Sequence, residues 1–158
     1  MSNIDREDIY ELNELEKVID IENIPYEKLM GIFIGFIIDE LITKYNLEKL
    51  NIDNETETMI MHYAYQGKAF LDKRITTEEL FKERISAWRK YKGLKDNSAS
   101  NKLLRIVVCC LYDKEAAEFD RYGSEMDLEL YFSLLMDLGK GFCNQFRYYL
   151  QKNWSEYK

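Results

Sequence analysis

Proline, glycine and histidine are all scarce in this sequence. Among 158 residues there are one proline (Pro25), seven glycines and one histidine (His62). Sandwiches and barrels need many tight turns, which use proline and glycine, so this scarcity favours helices with few connections. A single histidine excludes His-based zinc sites and most Ser-His-Asp triads. We therefore expect no catalytic residue, no metal ligand and no cofactor.

Cysteine pairs and long apolar runs are also missing. Cys109, Cys110 and Cys143 are odd in number and lack Cys-x-x-Cys spacing, so we expect small core residues in a reducing compartment. The longest apolar run, residues 29–38, is far shorter than the roughly 20 residues that span a bilayer. The N-terminal stretch carries charge where a signal peptide needs an apolar segment. These features predict a cytoplasmic protein with no membrane partner.

Apolar residues recur at helical spacing along most of the chain. The pattern predicts an all-α, single-domain bundle (residues 1–158) of about six helices, over 5–20, 25–45, 55–73, 77–92, 103–112 and from 124 onward. Asn54 with Glu57, and Thr76 with Glu79, are spaced as capping boxes, and residues 95–101 read as a polar loop. The last apolar stripe runs to about residue 150, which predicts a C-terminal helix about 40 Å long. Gly139 and Gly141 are the positions where this helix would bend.

Residues 103–112 are ambiguous, because a short apolar run carries no period that separates a buried strand from a buried helix. We predict a helix. A lone strand has no visible partner and would leave its backbone groups without hydrogen bonds.

Charge is distributed unevenly along the chain, whose net charge is −7. Residues 1–72 carry 16 acids and 6 bases, whereas residues 73–105 carry 4 acids and 10 bases. Acidic surfaces speed the encounter with a basic protein, and tyrosine, present twelve times, is enriched in interfaces. One group of acidic residues lies on one side of the predicted first helix, and a second group follows residue 112 in the sequence. Together they give these candidate partner contacts: Glu7, Glu11, Glu14, Asp113, Glu118, Asp120, Tyr122, Glu125 and Asp127. The plainer alternative is that these acids belong to solvated helix surfaces.

Two other function classes remain open. The segment 82–95 interleaves lysines and arginines with Trp88 and Tyr91, as a nucleic-acid surface does, although the chain as a whole is acidic. A helical regulator that binds nucleic acid is therefore one alternative. A helical enzyme with a carboxylate site is the other, and it requires that at least two of four side chains converge in one cavity: Asp39, Glu40, His62 and Tyr63.

The stretch KLLRIVVCCLYDKEAAEFDRYGSEMDLELYF, residues 102–132, joins an apolar segment, an acidic connector and an aromatic final helix. With the acidic, helical profile of the whole chain, it resembles the small all-helical immunity proteins of bacterial polymorphic-toxin and contact-dependent inhibition systems. The resemblance implies that the chain binds one cognate toxin domain, often a basic nuclease. It also implies that the chain covers the toxin's active site and performs no chemistry of its own. It assigns no particular residue.

Overall fold

Helices make up about 82% of the computed structural model, which confirms the all-α class. The structure describes residues 6–42, 50–120 and 123–156, and no strand occurs among them. These residues form eight α-helices, two more than predicted: α1 (Glu7–Glu16), α2 (Tyr26–Phe36), α3 (Asn54–Leu71), α4 (Thr77–Gly93), α5 (Ala99–Val108), α6 (Lys114–Asp120), α7 (Gly123–Leu138) and α8 (Phe142–Glu156).

The N-terminal helices are shorter than their apolar patterns predict. After α1 the chain makes a 3₁₀ turn, Ile21–Asn23, and Pro25 precedes α2 in an extended conformation. The predicted second helix is α-helical only to Phe36 and continues as a π-helical segment, Ile37–Ile42. The rest of that prediction, residues 43–45, lies outside the described residues.

Side-chain caps set where α3 and α4 begin. The predicted box at Thr76 is present: its hydroxyl accepts from the Glu79 amide at 3.1 Å, and the Glu79 carboxylate accepts from the Thr76 amide at 3.0 Å. The predicted cap at Asn54 is wrong by one residue. Asp53 caps α3 by accepting from the Thr56 amide at 2.7 Å, and this bond lowers the pKa of the Asp53 carboxyl.

The ambiguous run is helical, as predicted. It forms α5 and a 3₁₀ turn, Cys109–Leu111, and its residues from Ile106 to Leu111 are almost completely buried. The helix begins earlier than expected because Ser98 caps it by accepting from the Asn101 amide at 3.1 Å. The last three residues of the predicted loop 95–101 are therefore helical.

The prediction of one long C-terminal helix is wrong, because the structure has two helices there, α7 and α8. The break falls at the glycines that were expected only to bend it, and Gly141 has φ +92°, which ends a right-handed helix. The break lets α8 fold back against α7, so both helices contribute to one core. There the Phe33 ring stacks on Tyr131 with ring centroids 4.0 Å apart, and Phe146 packs against both Phe33 and Phe132.

Glycine permits a close backbone approach at a position that the sequence pattern did not indicate. A Cβ on Gly67 of α3 would lie 2.5 Å from the Cys110 carbonyl oxygen, so only glycine lets the 3₁₀ turn pack here. At Gly35 the near neighbour is a side chain, the Tyr149 hydroxyl at 2.6 Å. At Gly31 the nearest atom is Leu71 Cδ1 at 3.8 Å, which leaves room for a methyl group.

Candidate interaction surfaces

The predicted acidic side of α1 faces α8 rather than solvent. The Glu7 carboxylate accepts from the backbone amides of Gly141 and Cys143 at 3.0 and 3.1 Å, and so caps the N-terminus of α8. Glu11 is only 2% exposed and accepts from Asn144 Nδ2 at 2.8 Å and Arg147 Nε at 3.0 Å. Helix N-termini and arginines attract carboxylates, so both acids are used inside the fold. The burial of Glu11 corrects its prediction as a partner contact, whereas Glu7 is half-buried and stays a prediction.

Three further predicted contacts also have partners within the chain. Glu14 forms an ion pair with Lys17, which lowers the pKa of the Glu14 carboxyl by a side-chain hydrogen bond. Asp113 accepts from the Ala116 amide at the start of α6 and lies 3.9 Å from Arg84. Asp127 is buried, which removes it from any contact surface.

The remaining predicted contacts are Glu118, Glu125, Asp120 and Tyr122. Glu118 is exposed and Glu125 half-exposed. The side chain of Asp120 and all of Tyr122 lie outside the described residues.

Glu118 and Glu125 belong to a larger acidic surface that the sequence pattern did not reveal as a unit. We call it the acidic edge: Glu16, Asp20, Glu22, Glu118, Glu125 and Glu129. Four of these acids line one depression of about 200 Å³ with Ile19 and Ile21 and no basic residue. Neighbouring depressions add Glu129 on one side and Glu118 on the other, each with one base at the rim, Arg6 and Lys114 respectively.

The edge is assembled by tertiary contacts between segments far apart in sequence. The end of α1 and the Ile21–Asn23 turn both pack on α7, which carries Glu125 and Glu129. Glu16, Asp20 and Glu22 were not among the predicted partner contacts. On the first helix, the prediction covered only the earlier acids, which share one side of that helix. The available signal was the four-residue spacing of Glu16 and Asp20, which places both on a different side of the predicted helix 5–20 from Glu7, Glu11 and Glu14.

The basic segment 82–95 does not present both of its aromatic rings for stacking on bases. The Trp88 indole N–H donates to the Tyr112 hydroxyl at 3.0 Å, and the Arg105 guanidinium lies 5.0 Å from the centre of the Trp88 ring. Arg84 is also turned inward, where it donates to the Leu111 carbonyl at 3.0 Å. Several lysines remain exposed, but the combination of cation and free aromatic that favoured nucleic acid is lost at Trp88.

Of the four residues of the alternative carboxylate site, His62 and Tyr63 contact each other, with ring centroids 5.2 Å apart, and their hydrogen bonds are made to other residues. Asp39 accepts from the Tyr149 hydroxyl at 3.2 Å, and His62 Nε2 lies 2.8 Å from Glu83 Oε2. Tyr63 pairs with Ser86 at 2.7 Å. Asp39 lines an open groove of about 630 Å³ between α2, α3 and α8, but His62 and Tyr63 do not line it. Glu40 is half-buried and does not line this groove either, so none of the other three residues joins Asp39 there.

The three cysteines are buried and free, in agreement with the expected core role. The Cys143 thiol donates to the Phe132 carbonyl oxygen at 3.0 Å. Burial, together with the nearby acids Glu7, Asp8 and Glu11, raises the pKa of Cys143. A thiol held protonated in this way is a poor nucleophile and a poor metal ligand.

Within the described part of the chain, no group of three or more His, Cys, Asp or Glu side chains is arranged to hold a metal ion. Across the same residues, no helix combines the length and the apolar character needed to span a membrane. No protein-family model, curated protein or solved structure matches this chain. The surfaces described above therefore carry the functional proposal.

Proposed function

We propose that this chain is an immunity protein of the bacterial cytoplasm, which binds a cognate toxin domain and neutralises it by covering its active site. The partner is a basic protein, and a nuclease fits best because its active site must attract a polyanion. The observation that supports the proposal is the acidic edge, where six carboxylates from four segments share adjoining depressions.

The acidic edge has few cations to neutralise it. Arg6, at one rim, is engaged by Asp8 at 2.8 Å, which lies outside the edge, and Lys114 is the one base at the other rim. Like charges held together produce a local negative potential, and concave surfaces concentrate it. Such a potential raises the association rate with a basic protein and disfavours acidic partners. A toxin that must be captured quickly, before it meets its substrate, benefits from this rate.

The decisive experiment is rescue from the neighbouring toxin. The resemblance implies that the gene lies directly downstream of a large toxin gene. We expect co-expression of this chain to restore growth of cells that produce the C-terminal domain of that toxin, and the purified pair to bind tightly. An unrelated upstream gene, or cells that still die, would refute the proposal.

Charge reversal locates the contact surface. Changing Glu16, Glu22 and Glu125 together to lysine should lower the association rate by about tenfold or more at low salt, as measured by stopped-flow or surface plasmon resonance. The matched control makes the same net change at three exposed acids elsewhere: Glu55, Asp72 and Asp96. Equal losses in both variants would mean that only net charge matters and that the edge is not the contact.

A further inference from the structure

Three apolar side chains stand exposed on α4 and α6. Phe119 is 93% exposed, the highest value among the large apolar side chains described, and Phe81 and Ile85 are 48% and 37% exposed. Phe81 and Phe119 line one depression of about 480 Å³, and Ile85 follows Phe81 by one helical turn. We call these three residues the anchor patch.

The sequence shows why Phe119 is unlike an ordinary surface residue. It is the single large apolar residue of α6 (KEAAEFD), whose inward contact is made by Ala117 instead. The phenyl ring of Phe119 therefore contributes little to the core, although burial of such a side chain would stabilise the fold. Exposed apolar patches rimmed by polar groups mark interaction sites, and aromatic residues dominate their binding energy.

Arg84 holds one wall of the depression in place. Its guanidinium lies 5.1 Å from the centre of the Phe81 ring and 4.7 Å from that of Tyr112. It is mostly buried, and its hydrogen bond to Leu111 fixes it to the 3₁₀ turn. A contact surface that is already ordered loses less entropy when a partner binds.

The charges around the patch select the partner. Glu78, Asp113 and Glu115 line the same depression, and Glu118 immediately precedes Phe119. Arg84 lies 3.9 Å from Asp113 and compensates its charge in part. Lys82 lies 3.8 Å from Glu78, and both side chains of this pair are largely exposed. Glu118 also shares a depression with Glu22, so α6 joins the anchor patch to the acidic edge.

We propose that Phe81, Ile85 and Phe119 anchor a basic amphipathic segment of the partner protein. An apolar side chain of that segment enters the depression between α4 and α6, and its lysines or arginines meet Glu115 and Glu118. This inference rests on the proposed function for the identity of the partner, but the chemistry of the site is testable without it.

The first test uses two designed helical peptides with the same leucine face, one bearing lysines and the other glutamates on its polar face. We expect the lysine peptide to bind, with NMR shift changes centred on α4 and α6, and the glutamate peptide not to bind. Phe119→Ser should weaken binding at least tenfold, since a hot-spot side chain contributes more than the 1.4 kcal/mol that a factor of ten represents. The ring is almost fully exposed, so this variant should fold normally.

Tyr148→Ser is the matched control, because Tyr148 is 59% exposed on α8, which packs on other helices. The anchor patch is refuted if Phe119→Ser and Tyr148→Ser bind the lysine peptide equally, or if neither peptide binds. The proposal is also refuted if sedimentation shows that the wild-type chain is a dimer and that Phe119→Ser is a monomer. A second copy of the chain would then cover the patch.

A second test separates this inference from the proposed function. If the wild-type chain neutralises the adjacent toxin but Phe119→Ser neutralises and binds it equally well, the patch is not the anchor and the immunity function stands. If the wild-type chain fails to neutralise the toxin while the lysine peptide still binds at Phe119, the immunity proposal fails and the site remains.

Discussion

The glycines within helices differ in whether a neighbouring atom needs the space that a side chain would occupy. Gly67 is required by a backbone carbonyl, whereas Gly31 has space above it and lies on the surface of α2. A glycine inside a helix costs about 1 kcal/mol relative to alanine, so this cost is compensated by packing only where a neighbour needs the space.

Alanine substitutions should therefore change stability in opposite directions. We expect Gly31→Ala to raise the free energy of unfolding by up to about 1 kcal/mol, since alanine favours the helix and meets no close atom. Gly67→Ala should lower it by about 1–3 kcal/mol, because the new methyl group overlaps Cys110. Urea denaturation of both variants measures the difference. A loss of stability in Gly31→Ala would show that its space is needed.

The buried thiol of Cys143 links stability to alkaline pH. Its pKa is raised in the folded state above the ordinary value of 9.0, mainly by burial. The unfolded chain therefore loses this proton first as pH rises. The stabilisation is complete below pH 9 and declines above it.

Cys143→Ala removes this contribution to the alkaline decline. We expect the melting temperature of the wild-type chain to fall more steeply between pH 8.5 and 10.5 than that of Cys143→Ala. Other groups titrate in this range, so the slopes of the two proteins are compared rather than either slope alone. Parallel slopes would contradict the prediction.

At the scale of helices, α1 and α8 are joined by carboxylates. Glu7 caps α8, and Glu11 binds Asn144 and Arg147 one turn further on. Arg147 donates to Glu11, and this hydrogen bond raises the pKa of the guanidinium. These acids, spaced four residues apart on α1, thus form the polar seam between α1 and α8, the set of hydrogen bonds that joins the two helices.

Breaking the Glu11–Arg147 pair should be costly. Glu11→Ala leaves Arg147 without its carboxylate, and the loss of one partner of a buried pair costs about 3 kcal/mol. A double-mutant cycle with Arg147→Ala should give a coupling energy above about 1 kcal/mol. Glu14→Ala on the same helix is the control, because its pair with Lys17 is exposed and should leave stability unchanged. A coupling energy near zero would mean that α1 and α8 are held together by their apolar contacts.

At the scale of the whole molecule, net charge and the acidic edge act together. The chain carries −7, and part of this charge is gathered along α1, the Ile21–Asn23 turn, α6 and α7. Self-repulsion of this kind lowers the stability of the free protein, and the basic partner that we propose would relieve it. A binding surface kept at the expense of stability is common in proteins.

Salt should consequently stabilise this protein. Raising sodium chloride from 0.05 to 0.5 M screens the repulsion, and we expect the melting temperature to rise by a few degrees. Changing Glu16, Glu22 and Glu125 to glutamine should raise the melting temperature at low salt and reduce its response to added salt. A melting temperature that falls with salt would show that attractive ion pairs dominate.

The all-α class and most helix positions were determined by the sequence itself. Helical hydrogen bonds and caps join residues three or four apart, so the Thr76 box follows from a local pattern. The run 103–112 has no such pattern, and its helix was predicted correctly because a lone strand would have had no partner.

Which surface each acid occupies was decided only by the tertiary structure. The spacing of Glu7 and Glu11 places them on one side of a helix, but only the turn at Gly141 directs α8 onto that side, where Glu7 caps α8 and Glu11 is buried. The same packing gathers Glu16, Glu22 and Glu125 from distant segments and leaves Phe119 exposed. The spacing of residues along a helix determines which of them share a side of that helix. The packing of the helices in space determines whether that side contacts water or another helix.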